Sequence, residues 1–429
     1  MRRVANNRIV DPEKYKYFVL VGCFFAFMFD NADMLVTSIG LPLLLDVFDI
    51  STAEGGLIAT SMLVGAAIGS WFWGPFADRC GRRTAYITCL SFYTVFTVAC
   101  AFCNTLLPFV ILRFLCGLAL GGAWTIGVAY LSDFFPEHQR GRAVGAVQSS
   151  AAVGMLFVVA IMKFLVPLFS WRALFWSALL AVPLIVFFLW LPESPAWLKS
   201  REQGEAAKVT GKAKTPVMGL SALLRTKAFR VPLLLAAVLV IGIQVGNWGA
   251  TSWIPTYLVL DRGLSDDAMA NVMFMMYIGA FAGYWVLGWM ADRLGKRVTY
   301  IFISAYTFFA TIAYMFLSTD ATTGIFAALF GFGALGMFGP LGAFVSEAVP
   351  KEARGSGLGF VWGAGRLVAA VIPFAFGSLA TVISLQNCIL IASVAYIICF
   401  GTSLAMKEKR RKRARSVNLV EAPEGNLAE

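Results

Sequence analysis

The chain has 429 residues, of which 59% are hydrophobic and only 14% charged, whereas a soluble domain is about 25% charged. A soluble protein must cover its surface with polar groups, so this composition excludes a soluble globular protein and indicates repeated membrane-spanning helices of roughly 20 apolar residues each. The single histidine, His138, argues against histidine-ligated metals and histidine-based catalysis. The eight cysteines lie in apolar runs or predicted cytosolic loops and predict no disulfide framework.

Twelve membrane-spanning helices are predicted from the apolar runs. In chain order they cover residues 17–41, 55–76, 84–104, 108–131, 142–166, 172–191, 232–259, 268–290, 298–317, 322–346, 357–381 and 386–406. We therefore predict an all-α polytopic membrane protein with four parts. These are a six-helix bundle at 1–191, a cytoplasmic linker at 192–231, a second six-helix bundle at 232–406 and a basic cytoplasmic tail at 407–429.

The cations are distributed unevenly between the two ends of the predicted helices. Most of the 35 Lys and Arg residues fall in the two chain termini and in every second loop. This asymmetry follows the positive-inside rule and predicts that both termini are cytoplasmic, in a plasma membrane that we expect to be a bacterial inner membrane. The net charge of +11 is then explained by topology. The expected partner is the lipid bilayer, with no nucleic acid, and the protein is expected to be a monomer.

Two motifs occur twice at the same spacing. GPFADRCGRR begins at residue 74 and its copy GWMADRLGKR at residue 288; SDFFPEHQRG begins at 132 and its copy SEAVPKEARG at 346. Both pairs are 214 residues apart. The halves are therefore predicted to be parallel repeats related by an axis along the membrane normal, with a substrate site near the midplane at their interface.

The doubled motif resembles the major facilitator superfamily, and the resemblance covers essentially the whole chain. LPESPAWL at 191–198 resembles the sugar-porter and organic-acid side of that superfamily, and Asp30-Asn31-Ala32-Asp33 resembles the D-G-x-D of aromatic-acid–proton symporters and of sialate and lactate symporters. RFLCGLALGGAW at 113–124 and WGAGRL at 362–367 are most similar to the aromatic-acid branch. Asn31 stands where those families have glycine, and Ala123 where sialate transporters have glutamate. The resemblance implies the major facilitator fold and a secondary active transporter, not an enzyme.

Four charged residues lie well inside predicted spans, away from their ends: Asp30, Asp33, Arg113 and Arg366. A charge at the centre of a span costs roughly 2.5–3.5 kcal/mol on insertion scales, so each needs a partner or a wet cavity. One interpretation is a set of fixed ion pairs that orient helices. In the other, Arg113 or Arg366 binds a substrate carboxylate while Asp30 or Asp33 takes a coupled proton. By resemblance, R-x-x-x-G-x-x-x-G at 113–121 is the fourth-span motif associated with proton transfer. No cofactor and no metal are expected, the proton being the coupling ion.

Two further groups of candidates complete the predicted site. Polar and aromatic side chains inside spans either contact substrate or bridge helices, namely Asn31, Gln148, Gln244, Asn247 and Trp362, with Trp124, Trp248 and Tyr277 as further aromatic candidates. Charges at the cytoplasmic helix ends are predicted to form networks that close the inner gate, namely Asp78, Arg82, Asp133, Arg140, Asp292, Arg297, Glu347 and Arg354.

The predicted function is proton-coupled uptake of a small organic anion, such as an aromatic acid or a monocarboxylate, by alternating access. A sugar or sugar-acid porter remains an alternative because of the PESPAWL sequence, and so does a proton-antiport exporter. The fifth span lacks the Gly-Pro that such exporters carry, which argues against export. A G-x-x-x-x-G-K-[ST] loop is absent from the sequence, so ATP-driven pumping is unsupported.

Overall fold

The computed structural model describes residues 11–199, 201–202, 225–347 and 354–406. Over these residues the chain forms twelve long helices, which confirms the predicted fold class. They are α1 (Pro12–Phe48), α2 (Thr52–Cys80), α3 (Arg82–Cys100), α4 (Leu106–Leu120 and Ala123–Phe134), α5 (Glu137–Phe164), α6 (Arg172–Trp190), α7 (Lys227–Thr251), α8 (Asp266–Arg293), α9 (Lys296–Leu317), α10 (Thr323–Ala334 and Phe338–Glu347), α11 (Arg354–Leu379) and α12 (Leu385–Ala405). Most of the predicted linker and the basic tail lie outside the described residues.

Eleven of these helices are long and apolar enough to cross a membrane, counting only the described part of the chain. The exception is α3, whose buried face carries the hydroxyl groups of Tyr86, Tyr93, Thr94 and Thr97. These groups lower the hydropathy of α3, but they face neighbouring helices of the same bundle, chiefly α4. A helix whose polar groups are enclosed by other helices can still span a bilayer, because its lipid-facing side remains apolar.

Helix ends follow the capping chemistry of the sequence. Ser51 and Glu54 form a reciprocal capping box at the start of α2. Gly81 ends α2 with φ of 99° and Gly295 precedes α9 with φ of 95°, a backbone conformation that side-chain-bearing residues rarely adopt. The helix α1 is longer than the predicted 17–41, because it starts beside the Asp11 cap and continues through Pro42 to Phe48.

The internal repeat is visible in helix packing. In the first half, a Cβ atom added to Gly65 of α2 would lie 2.2 Å from the Phe114 carbonyl oxygen of α4. In the second half, a Cβ added to Gly279 of α8 would lie 2.0 Å from the Ala328 carbonyl oxygen of α10. Both residues of the second pair are 214 positions after those of the first. The two halves therefore build the same close helix contact from the same glycine.

The halves meet mainly along two helix pairs, α2 with α11 and α5 with α8. We call the end of the bundle that carries the chain termini the terminal end, and the opposite end, where α1 leads into α2, the distal end. Among the described residues, hydrogen bonds cross between the halves at the distal end, where Thr52 donates to the Gly377 carbonyl at 2.9 Å and Lys163 donates to Asn271 at 2.6 Å. The halves enclose a cavity on the terminal-end side of these contacts.

Candidate functional site

A cavity of about 120 Å³ lies between the two halves, comparable to the cavity of about 150 Å³ that holds benzene in an engineered protein. Seven of the residues predicted from the sequence line it: Asp30, Asn31, Gln148, Gln244, Asn247, Trp362 and Arg366. Trp124 and Trp248 also line it, whereas Tyr277 is fully buried away from it. The cavity draws on helices of both halves, so a bound molecule would touch both.

Arg366 and Asp30 give this apolar cavity its charges. A guanidinium N–H of Arg366 donates to the carbonyl oxygen of Gly121 at 3.1 Å, at the point where α4 is interrupted. Arg366 therefore reaches across from α11 to the other half and still has N–H donors left for a ligand. Asp30 is 5% exposed, and its Oδ1 has no hydrogen-bond partner within the part of the chain that is described. The two side chains are of opposite charge type and line the same cavity.

Asp33 and Arg113 form a second, separate cluster inside the first half. A guanidinium N–H of Arg113 lies 3.5 Å from Asp33 Oδ1, which also accepts a hydrogen bond of 2.6 Å from the Thr97 hydroxyl. The Cys116 thiol lies 2.9 Å from Asp33 Oδ2. Arg113 is fully buried, with its guanidinium 5.2 Å from the centre of the Phe175 ring. Neither Asp33 nor Arg113 lines the cavity between the halves.

The structure therefore separates the four charges that the sequence grouped together. Asp30 and Arg366 face the cavity, whereas Asp33 and Arg113 pair within one bundle. In this arrangement Arg113 cannot reach a ligand in the cavity without leaving Asp33. Asn31 lines the cavity, but its amide already donates to the Phe27 carbonyl of its own helix at 2.8 Å.

Several lining residues were not predicted. Phe27 is one of them, and its ring packs at one wall with its centroid 4.5 Å from that of Trp124, an aromatic candidate from the sequence. Tyr284 of α8 lines the cavity and hydrogen-bonds Gln148 of α5, joining the halves at this level. In the sequence an aromatic residue in an apolar span resembles a lipid-facing or core residue, so Tyr284 carried no signal. Thr97 and Cys116, which contact Asp33 in the separate cluster, were missed because such residues are common in any membrane-spanning helix.

At the terminal end, the first half shows the charge contacts predicted for gating. Arg82 lies 3.1 Å from Asp133 and 3.6 Å from Asp78, and the Ser194 hydroxyl donates to Asp133 at 2.6 Å. Arg140 instead donates to the backbone carbonyl of Phe135 at 2.9 Å. These contacts tie the α2–α3 and α4–α5 turns to the segment that follows α6.

The corresponding charges of the second half are placed differently. Arg297 donates to the carbonyl oxygens of Ser403 and Leu404, at 3.2 and 2.7 Å. Asp292 is exposed. The side chains of Glu347 and Arg354 lie outside what the structure describes. For these residues a gating role stays a prediction.

A largely apolar cavity with a few polar and charged side chains, enclosed between two repeated six-helix bundles, is the architecture of a secondary transporter. The profile of the Major Facilitator Superfamily matches residues 20–373, and the chain belongs to that superfamily.

Known proteins of this superfamily resemble the chain over most of its length. It is 32% identical to the probable 4-methylmuconolactone transporter of Cupriavidus pinatubonensis, covering 88% of this chain and 86% of that protein. It is 29% identical to the cis,cis-muconate transport protein of Acinetobacter baylyi, covering 90% and 93%. The inward-open xylose transporter XylE of E. coli superposes with a TM-score of 0.75 at 18% identity, over 93% of this chain and 98% of that one, a likeness of fold.

Proposed function

We propose that the protein is a proton-coupled symporter that takes up a small organic anion, such as an aromatic acid or a monocarboxylate. The observation that carries this proposal is that Arg366 and Asp30 line the same, otherwise largely apolar cavity between the halves. Relatives named for a muconolactone and a muconate support an acidic or lactone substrate with an unsaturated body.

Arg366 supplies the anchor for the substrate. A guanidinium binds a carboxylate through paired N–H donors, and such charge-assisted bonds are about twice as strong as neutral ones. The aromatic wall of Phe27, Trp124 and Trp362 would contact the flat body of the substrate. A neutral sugar has no carboxylate for the guanidinium to bind, so the cavity favours an anion over a sugar.

Coupling to protons follows from competition for Arg366. Asp30 and a substrate carboxylate would be two anions beside one guanidinium in a low-dielectric cavity, where like charges disfavour each other. Protonation of Asp30 removes that repulsion and releases Arg366 for the substrate. Loss of the proton after the halves rock would weaken substrate binding and promote release. Asp33, paired with Arg113, is the second proposed proton site.

The sidedness proposed for the protein rests on its charges. The cation-rich terminal end would be cytoplasmic, in a bacterial inner membrane, with both chain termini inside and the protein acting as a monomer. The distal contacts between the halves would then close the outer side, and the cavity would communicate with the cytoplasm.

Uptake in proteoliposomes tests the proposal. Purified protein is reconstituted, an inward proton gradient is imposed, and 4-hydroxybenzoate, cis,cis-muconate, L-lactate and glucose are offered in parallel, with and without a protonophore. Accumulation of one of the acids that the protonophore abolishes is the expected result. Accumulation of glucose alone would contradict an anionic substrate, and proton-driven expulsion of an acid would contradict symport.

A further inference from the structure

A second, much smaller cavity lies inside the first half. Its volume is about 10 Å³, and it is lined by α1, α3, α5 and α6. It shares no lining residue with the cavity between the halves. A water molecule needs about 10–15 Å³ and about two to four polar partners. The cavity thus has the size of one water.

The polar lining of this cavity meets the second requirement. Asp33, Tyr93, Thr97 and Ser177 all contribute to its wall. The Tyr93 hydroxyl is buried and has no hydrogen-bond partner among the described residues, which is costly unless a water supplies one. The Ser177 hydroxyl donates to the Leu174 carbonyl at 2.6 Å and keeps its lone pairs free to accept.

The other contacts of Asp33 are already made by protein groups. Thr97, Arg113 and Cys116 contact its two oxygens. The small cavity is therefore where a solvent molecule can meet this carboxylate. It lies toward the distal end: Thr97 is three residues from the distal end of α3, about 5 Å along the axis at about 1.5 Å per residue.

We propose that this cavity is a hydration site through which Asp33 exchanges protons with the distal side, without passing through the cavity between the halves. A hydrated proton that reaches this water loses one O–H bond, Asp33 gains it, and a neutral water remains. Tyr93 holds the water in line with the carboxylate. The inference rests on the proposed function and extends it by giving Asp33, the second proposed proton site, a route separate from that of the substrate.

Tyr93→Phe tests the proposal, because it removes the unpartnered hydroxyl and little volume. Proton-driven accumulation of 4-hydroxybenzoate is compared with its counterflow, an exchange that needs no net proton movement. We expect accumulation to fall about tenfold, the effect of losing one hydrogen bond to a buried polar group, with counterflow changed less than about twofold. Ala178→Val, which fills the same cavity, is expected to act in the same direction. Wild-type accumulation in both variants, or an equal fall in both assays, would overturn it.

Tyr314→Phe is the matched control, since Tyr314 of α9 is also fully buried with a hydroxyl unpartnered among the described residues. It lines neither of the two cavities described above, and both assays should stay at wild-type levels. Infrared spectroscopy after an acid jump gives a readout that needs no substrate. The carboxyl band lost in Asp33→Asn should appear more slowly in Tyr93→Phe than in Tyr314→Phe. Equal rates would contradict the proposed role of Tyr93. If the wild-type protein shows counterflow of none of the acids, that result contradicts the proposed function alone.

Discussion

Asp30 and Asp33 are three residues apart on α1, yet they occupy different chemical environments. Asp30 faces the cavity with Arg366 across from it, and Asp33 is enclosed by Thr97, Arg113 and Cys116. Helical residues three apart lie on neighbouring parts of one face, so a single helix can serve two separate sites. The two proposed proton sites therefore have separate surroundings, Asp30 beside the cavity between the halves and Asp33 within the first half.

Arg366 is the residue on which substrate binding should depend most. Replacing it with Ala leaves Asp30 without its counter-charge and a substrate carboxylate without a donor, and truncating one partner of a buried charge pair costs about 2–5 kcal/mol, or about 30-fold or more in affinity. We expect Arg366→Ala to abolish measurable uptake and Arg366→Lys to retain part of it. Binding measured by isothermal calorimetry checks the direction.

Arg262→Ala serves as the control for Arg366→Ala, because Arg262 pairs with Asp320 at 2.9 Å within the second half, far from the cavity. An exposed pair of this kind contributes about 0–1 kcal/mol. If Arg366→Ala takes up as much substrate as Arg262→Ala, Arg366 does not bind the substrate.

Asp33→Asn should separate exchange from accumulation. The substitution keeps the shape of the side chain but leaves the fully buried Arg113 without a negative partner, so we also expect a lower yield of folded protein. The double variant Asp33→Asn with Arg113→Gln removes both charges and should recover yield without recovering accumulation. The checks are size-exclusion chromatography, counterflow and proton-driven uptake, and accumulation by either variant against a gradient would exclude Asp33 as a coupling site.

At this scale the sequence singled out the charged residues and several polar ones, but not how they are arranged. A charge in an apolar span is costly, so Asp30, Asp33, Arg113 and Arg366 stand out. Which arginine joins which carboxylate depends on how helices rotate against each other, and spacing along the chain does not fix that. Thr97, Cys116 and Tyr284 belong to residue types common in any span, and only the packed structure shows what they touch.

Among the helices, glycines fix how closely neighbours pack. A Cβ on Gly117 of α4 would lie 2.0 Å from the Met62 carbonyl oxygen, and one on Gly331 of α10 would lie 2.0 Å from the Met276 carbonyl oxygen. Backbones in membranes approach closely where small residues face each other. The α2–α4 and α8–α10 pairs thus form the rigid centre of each half.

Gly65→Ala should destabilise the protein, because the added methyl group would lie 2.2 Å from the Phe114 carbonyl oxygen and the helices must separate. Overpacking of this kind costs about 1–3 kcal/mol. Gly401→Ala is the control, since nothing lies within 4 Å of its added Cβ, and alanine is favoured in a helix by about 0.5–1 kcal/mol. Thermal unfolding in detergent should show a lower midpoint for the first variant alone; equal midpoints would contradict the packing described.

The helix count and type follow from apolar runs of the right length, which is why all twelve were predictable. The ends of the helices were harder to predict. Pro42 favours a helix end because it lacks an N–H donor, yet α1 continues past it to Phe48. The interruptions of α4 after Leu120 and of α10 after Ala334 lie within continuous apolar sequence, so hydropathy alone does not reveal them.

Across the whole molecule, the distal contacts between the halves are themselves a repeat. Thr52 at the start of α2 meets Gly377 of α11, and Lys163 at the end of α5 meets Asp267 and Asn271 at the start of α8. The repeat offset of 214 residues relates these two contacts. Position 266, the equivalent of Thr52, is next to Asp267, and position 163, the equivalent of Gly377, is Lys163 itself. Two contacts at equivalent positions of the repeat therefore join the halves at the distal end. One is a hydrogen bond from a hydroxyl to a carbonyl, and the other is made by a lysine.

If the halves must part at the distal end during transport, joining them covalently at the contact between Lys163 and Asn271 should stop transport. Lys163→Cys and Asn271→Cys are introduced together with Cys80→Ser, because Cys80 is the one exposed cysteine among those of the native chain that the structure describes. A short, reductant-cleavable bifunctional thiol reagent then bridges the pair. We expect uptake to fall to the level of protein-free liposomes and to return when the bridge is cleaved.

The control for this bridge is a cysteine pair at the same end but within one half. Arg262 and Asp320 both belong to the second half and lie 2.9 Å apart, so bridging Arg262→Cys to Asp320→Cys leaves the halves free to rock. Uptake should survive that bridge, since alternating access moves one bundle against the other and leaves each bundle largely rigid. Uptake that survives the Lys163–Asn271 bridge as well would mean that the distal end does not open. Substrate would then have to enter by another path.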